Sequence, residues 1–314
     1  MADILNSTDS PSTQYANVGQ PSSGAKLDHF TGMILTYDNF SISAANRASW
    51  ALFLAALQAA TVAALPINRA YPITNFVGLN DTTPAPEKKT TSYGNTVALI
   101  EKPQTYEIEI ENFGVKFSAE LRKLNTQLNL RAYFLDPKHI FGETVGTEFQ
   151  GFEVDVKMRQ VKVGNVTDYT KYILDVQIVD PDALTTNIDS VPIPANIKMK
   201  NVLKGCLGVT LSAVTGGAGV TNVKAITSIS QTDMYDSYAD ALAVASAWVA
   251  RDSSGIAVTI SAVAKVPASK SWALTTTTGV RTFELADAAA LVVLLVGSAT
   301  KGGFESEPVE FTVV

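Results

Sequence analysis

The sequence predicts a mainly β protein with one long helix, of the α+β class, in two domains behind an N-terminal arm. Three observations predict it. Between Gly94 and Asp182 the chain falls into runs rich in Tyr, Phe, Val and Ile, separated by turn residues, as strands do. One stretch, Ala44 to Leu65, is rich in Ala and Leu behind Ser43 and stops at Pro66, which reads as a capped helix. From about Gly205 onward charges thin out and short apolar runs recur to Val314, the pattern of a β-sandwich. The divisions are an arm over 1–26, a β-rich assembly domain over 27–204 with its helix at 44–65, and a sandwich over 205–314.

Residues 1–26 are mostly Ser, Thr, Pro, Gly, Gln and Asn, the composition of a flexible arm. An arm of this kind can also order against a neighbouring subunit. Leu27 to Ile42 reads as strand and turn. In the helix, Trp50, Phe53, Leu54, Leu57 and Val62 are the large apolar members. Trp50 to Leu65 is nearly all apolar but shorter than the roughly 20 residues a bilayer requires, and it holds Gln58. No membrane span is expected. Trp50, Phe53 and Leu57 are the candidates for subunit or core packing, because Ala-rich faces let helices approach closely.

Tyr106 to Glu111 is the cleanest alternation. Tyr106, Ile108 and Ile110 face one way, and Glu107, Glu109 and Glu111 the other. The three glutamates form a solvated acidic face or, repeated around a ring, the wall of a channel. Such a wall offers a polyanion nothing to bind. Phe117 to Leu130 suits a short amphipathic helix showing Ala119, Leu121, Leu124 and Leu128 to a sheet. Phe149 to Val163 and Tyr169 to Val179 read as strands joined at Val163-Gly164-Asn165, and Asp136-Pro137 marks another turn. In the last domain Tyr238 to Ala250 is Ala-rich and expected as helix, while Ala290 to Val296 is expected as strand.

Composition excludes several classes. The chain has 314 residues, 46% of them hydrophobic, a formal charge of −6 and a pI near 5.0. Residues 1–204 carry 18 Lys/Arg against 21 Asp/Glu, and 205–314 carry 6 against 9. Neither half is a basic module for gripping phosphates. With one cysteine, Cys206, no intrachain disulfide or thiolate cage can form. His29 and His139 are the only histidines. The start of the chain shows no basic stretch followed by an apolar run, so no signal peptide is expected.

The motifs of catalysis are missing: no Gly-x-Ser-x-Gly, His-Glu-x-x-His, Walker loop or dinucleotide fingerprint occurs. Gly216-Gly217-Ala218-Gly219 lacks the Lys-Ser/Thr of a phosphate cradle and reads as a hairpin turn. His139 with Glu143 is the one local His–carboxylate pair. Asp180, Asp182 and Asp189 lack the glycine and terminal Glu of a calcium loop. No enzyme, metal or cofactor is expected.

Tyr93-Gly94 leading into a strand, Tyr133-Phe134-Leu135-Asp136, Gly142, and Gly151-Phe152 with two closing strands together resemble virion structural proteins of tailed bacteriophages, of the tail-tube and neck type. The closing Gly303-Phe304-Glu305-Ser306-Glu307-Pro308-Val309-Glu310-Phe311-Thr312-Val313 is similar to the last strand of Ig-like domains appended to such proteins. The resemblance implies a β-barrel- or sandwich-like assembly domain followed by an Ig-like β-sandwich. It implies a subunit that partners itself in a ring or tube and meets other virion proteins. DNA is then a partner only in passage, and the location is the virion, assembled in the bacterial host cytoplasm. A neck or capsid-associated role is the near alternative. The rival from another class is a surface adhesin or glycan-binding module using Tyr235, Tyr238 or Trp272.

Overall fold

A computed structural model describes residues 29–310 except 64, 75, 86, 91–95, 101, 112–118, 120, 160–170, 185–187, 218, 277–279 and 297–302. The arm over 1–26, Tyr93-Gly94 and the turn at Val163-Gly164-Asn165 lie outside the described residues.

In chain order the first domain has β1 (Gly32–Tyr37), helices α1 (Ala44–Arg47) and α2 (Trp50–Thr61), then β2 (Tyr71–Ile73) and β3 (Phe76–Asp81). A separate hairpin of β4 (Glu87–Thr90) and β5 (Thr96–Ile100) follows. Next come β6 (Thr105–Glu111), β7 (Leu130–Leu135), β8 (His139–Val145), β9 (Glu148–Gln150), β10 (Phe152–Met158), β11 (Lys171–Ile178) and β12 (Ile188–Pro192). All but the β4–β5 hairpin belong to one sheet, ordered β12-β8-β7-β10-β11-β6-β3, with β1 along β7, β2 on β1 and β9 on β8.

Strand β7 is the hub. One edge pairs with β1 over its full length; the other pairs with β10 through Leu130–Ala132 and with β8 through Phe134 and Leu135. Apart from Thr36 and Arg131 the two central strands read as apolar runs, because both of their faces are covered. Met33, Leu35, Leu130, Ala132 and Phe134 enter one core with the inward rows of β6, β10 and β11. Ile34, Tyr133 and Leu135 face the other way, into a second core under α2. Away from the hub, β10 alternates buried and solvent-facing residues, as a strand with one free face should.

Four expectations are corrected here. The sheet does not close into a barrel. Strand β2 pairs with β1 and β3 pairs with β6, but the ladder breaks between Ile73 and Phe76. Pro72 has no N–H to extend it, and the β3–β6 register shifts between Phe76 and Gly78. The single helix over 44–65 is two helices. Ser43 caps α1, and Ser49 sits in extended geometry and accepts from Leu52 N, starting α2 afresh. A serine oxygen can cap a new helix as readily as the backbone can continue the old one. Helix α2 ends at Thr61, and Pro66–Asn68 forms a separate 3-10 turn. Leu128 is 79% exposed rather than packed, because Gln127 turns extended and Asn129 adopts φ 57° before β7. The run from Phe149 is split into β9 and β10 at Gly151, which passes so close to β7 that an added Cβ would lie 2.8 Å from the Ala132 backbone.

The second domain contains β13 (Leu207–Gly217), β14 (Val220–Thr227), β15 (Trp248–Asp252), β16 (Ala257–Val258), β17 (Ile260–Val266), β18 (Ser271–Thr276), β19 (Val280–Leu285), helix α3 (Ala288–Val296), β20 (Phe304–Ser306) and β21 (Val309–Glu310). They form one sheet ordered β17-β18-β14-β13-β20 and another ordered β16-β15-β19-β21. Both sheets feed one core around Trp248, Trp272, Phe283 and Phe304. The glycine-rich loop turns the β13–β14 hairpin, with Gly219 at φ 73°. The first strand, β13, pairs in parallel with β20. Two further expectations fall. Tyr238 to Ala250 holds a 3-10 turn, Ala245–Ala247, and strand β15, because the indole N–H of Trp248 donates to Leu242 O and pins the chain extended. Ala290 to Val296 is helix, nucleated by Asp287, whose Oδ1 accepts from Ala289 N.

The domains meet at the end of α2. Arg69 is buried, donates to Ala63 O at 2.6 Å and forms an ion pair with Glu305. Gly303 of the second domain lies against Val62, just past α2, while Gln58 Nε2 donates to Val202 O within the first domain.

Phe53 is fully buried and Leu52 is 49% exposed. Phe53→Ala is therefore expected to lower unfolding free energy by about 3–5 kcal/mol, and Leu52→Ala by about 0.5 kcal/mol or less. Urea titrations of the two variants measure the difference.

Candidate assembly surface

The alternation in β6 is realised. Ile108 and Ile110 are buried, and Glu107 and Glu109 lie on the opposite face. Register then decides what the carboxylates meet. Glu107 lies opposite Asp175 of β11, two like charges side by side. Arg159, just past β10, resolves the conflict. Its Nη1 donates to Glu107 at 2.8 Å and its Nε to Asp175 at 2.6 Å. Lys171 donates to Glu109 at 2.9 Å, with both side chains only 20% exposed. Glu109 in turn lies over Gly78, where a Cβ would sit 2.7 Å from Oε2. The face is a charge-paired lattice rather than a bare acidic wall. The cations were illegible as partners because they come from other strands. Glu111 stands in β6 opposite Lys171 by register, and its side chain lies outside the described residues.

The helix candidates divide. Phe53 and Leu57 are fully buried against Tyr133, Leu135 and Phe149, with Phe53 and Phe149 rings 6.0 Å apart. They hold α2 on the sheet, so of the two roles expected for them Phe53 and Leu57 take core packing rather than subunit packing. Trp50 is half-buried and stacks on Phe53 at 5.9 Å. The outward side of α2 consists of Ala51, Leu52, Ala55 and Ala59. Apolar periodicity could not find this face, because α2 is apolar all round.

The other singled-out residues have structural occupations. His139 does not meet Glu143. Its Nδ1 lies 3.4 Å from Asp136 Oδ2, while Glu143 binds Arg131 at 2.6 Å. Asp136, 3% exposed, also accepts from the N–H groups of Lys138 and His139, which makes it the clasp of the β7–β8 turn. Asp180 accepts from Asp182 N in a turn. Asp189 accepts from Arg47 at 2.7 Å and from the hydroxyl of Thr144, tying α1 to β8 and β12. No cluster of three or more metal-ligating side chains occurs among the described residues. Burial, with Glu305 nearby, pushes the Cys206 thiol up to about 12, so it is neutral and inert. No helix of the described residues is long and apolar enough to cross a membrane.

Of the aromatic candidates for a sugar platform, Trp272 is packed inward and Tyr235 and Tyr238 are half-buried. Trp272 is fully buried, donates its indole N–H to Ala239 O, and touches Tyr235 and Trp248 at 5.2 and 5.6 Å. Tyr238 packs edge-on against Phe304 at 5.1 Å. Burial corrects the reading of Trp272 as an exposed contact. One cleft stands out, about 640 Å³, between the start of β3, the end of β7 and residues 193–200. Its walls come from three segments distant in the chain, so no local pattern marks it.

No family model, curated protein or solved structure matches this chain.

Asp189 is held below the ordinary aspartate value. Burial pushes it up, and the hydrogen bonds from Thr144, Arg47 and the Ser190 N–H outweigh that. Its contribution to stability is therefore fully present above the ordinary value of about 4 and lost as pH falls through the lower folded value. Asp189→Asn is expected to destabilise the protein at pH 7 and to narrow its gap from wild type below pH 4. Thermal melts from pH 7 to 2.5 check this.

Proposed function

We propose that this chain is a non-enzymatic structural subunit of a phage virion, foremost a tail-tube protein that stacks in rings around a DNA-conducting lumen. The observation that carries the assembling part is the outer side of α2. Ala51, Leu52, Ala55 and Ala59 form an exposed helix face without a charge, and such a face gains by being covered. Among the described residues β3 and β12 end the sheet, and a neighbour can extend such edges. The virion part rests on the resemblance in sequence. In this reading the second domain, two sheets on one core, is the Ig-like decoration. A neck or capsid-associated position fits the same features. The adhesin reading is weaker, because Trp272 is fully buried and Tyr235 and Tyr238 pack part of their rings against Trp272 and Phe304.

The lattice on β6 suits a surface that DNA passes without sticking. Its cations, Arg159 and Lys171, are already held by Glu107, Asp175 and Glu109. A phosphate would have to displace a carboxylate to bind there.

Negative-stain microscopy with light scattering tests the assembly. Rings or tubes with a central hole are expected at high protein concentration, and a lone monomer at every concentration would count against the proposal. Duplex DNA retention tests the lattice. The wild type is expected to retain none at 150 mM salt, and Glu107→Lys with Glu109→Lys is expected to retain DNA in a salt-sensitive manner.

A further inference from the structure

We infer that the cleft between β3, β7 and residues 193–200 is a binding site for an aliphatic carboxylate, an unbranched hydrocarbon tail with one anionic head. The inference goes beyond the virion reading and does not rest on it.

Three observations carry it. The first is the size and lining of the cleft. At about 640 Å³ it falls in the range of small-molecule sites, roughly 300–1,000 Å³. Phe76, Val77, Leu135, Ile193, Ile197 and Met199 make its walls apolar, and Val77 is 46% exposed. The second is how many polar groups of the wall are already engaged. The N–H and the hydroxyl of Thr31 both donate to Leu135 O. Asp136 accepts from the N–H groups of Lys138 and His139 and lies beside the His139 ring. The N–H groups of Ile193 and Ile197 donate to Lys138 O and Pro194 O. The third is charge at the rim. Lys198 and Lys200 line the cleft and are exposed, on either side of buried Met199. No carboxylate pairs with either ammonium among the described residues.

These features specify the occupant. A hydrocarbon tail asks for no hydrogen bonds and gains by displacing water from the apolar side chains. An anionic head answers the two ammoniums at the rim. A neutral lipid leaves them unanswered, and a cationic amphiphile is repelled by them. An added peptide strand fits less well. The β3–β6 register shifts between Phe76 and Gly78, so the cleft end of β3 is bulged at Val77 and presents no regular ladder to extend. An inserted tail needs no such ladder.

Isothermal titration calorimetry of the full chain with octanoate, decanoate and dodecanoate, each below its micelle concentration, tests this. One acid per chain is expected, with affinity rising about tenfold for every two methylenes added. Lys198→Gln with Lys200→Gln is expected to weaken all three acids about tenfold and to leave the binding of 1-octanol unchanged. Ala195 is exposed on the cleft wall, so Ala195→Trp is expected to fill the cleft and abolish binding while the circular dichroism spectrum stays that of the wild type. Decylammonium binding as tightly as decanoate would overturn the inference, as would decanoate binding that neither variant weakens. No heat from any of the three acids would overturn it outright. If Ala195→Trp then also turned an oligomer into a monomer in light scattering, the cleft would belong to a second copy instead.

Discussion

Everything in the first domain depends on burying β1 and β7 on both faces. A strand without a wet face needs a layer above it and a layer below it. The inward rows of β6, β10 and β11 supply one, with Ile108, Val156 and Leu174 among them, and α2 supplies the other through Phe53 and Leu57. The helix is therefore not an appendage. Its inner face is committed to Tyr133, Leu135 and Phe149, and only its outer face is free to meet a partner. The same constraint fixes the glycines. Gly151 and Gly142 stand where one strand passes another too closely for a Cβ, with Gly142 facing Gln150 O and the Phe149 ring.

Charge is managed by the same economy of position. Where the sheet face is wet, like charges fall opposite one another by register, and a cation from a neighbouring strand bridges them. Arg159 between Glu107 and Asp175 is the case in point, and Arg131 likewise reaches across to hold Glu143 and Gly151 O. Each exposed pair is worth little on its own, about 0–1 kcal/mol. Together they remove the repulsion that an unrelieved row of carboxylates would create. A surface built this way is electrically quiet, a property shared by faces that slide and faces that only face solvent.

How much of this was legible follows from how local each feature is. The β6 alternation, the Asp136-Pro137 turn and the hairpin at Gly216 to Gly219 were readable because strand period and turn chemistry are written in adjacent residues. Ser43 as a cap was readable for the same reason, whereas Ser49 is a second cap set inside an Ala-rich run that by itself favours an unbroken helix. Ala290 to Val296 misled because a short apolar run looks the same for a buried helix and a buried strand, and only Asp287 before it breaks the tie. The charge lattice, the cleft and the burial of Trp272 were out of reach. Each depends on which distant strands become neighbours, and no residue announces that by itself.

The parallel pairing of β13 with β20 has a mechanical consequence. These are the first strand and nearly the last of the second domain, and they lie side by side pointing the same way. A load entering through the chain before Leu207 and leaving after Ser306 pulls them in opposite directions along their shared axis. The inter-strand hydrogen bonds are then sheared together instead of being peeled apart one at a time. The domain is tethered by the arrangement that resists extension best, at the seam where the two halves of the chain join.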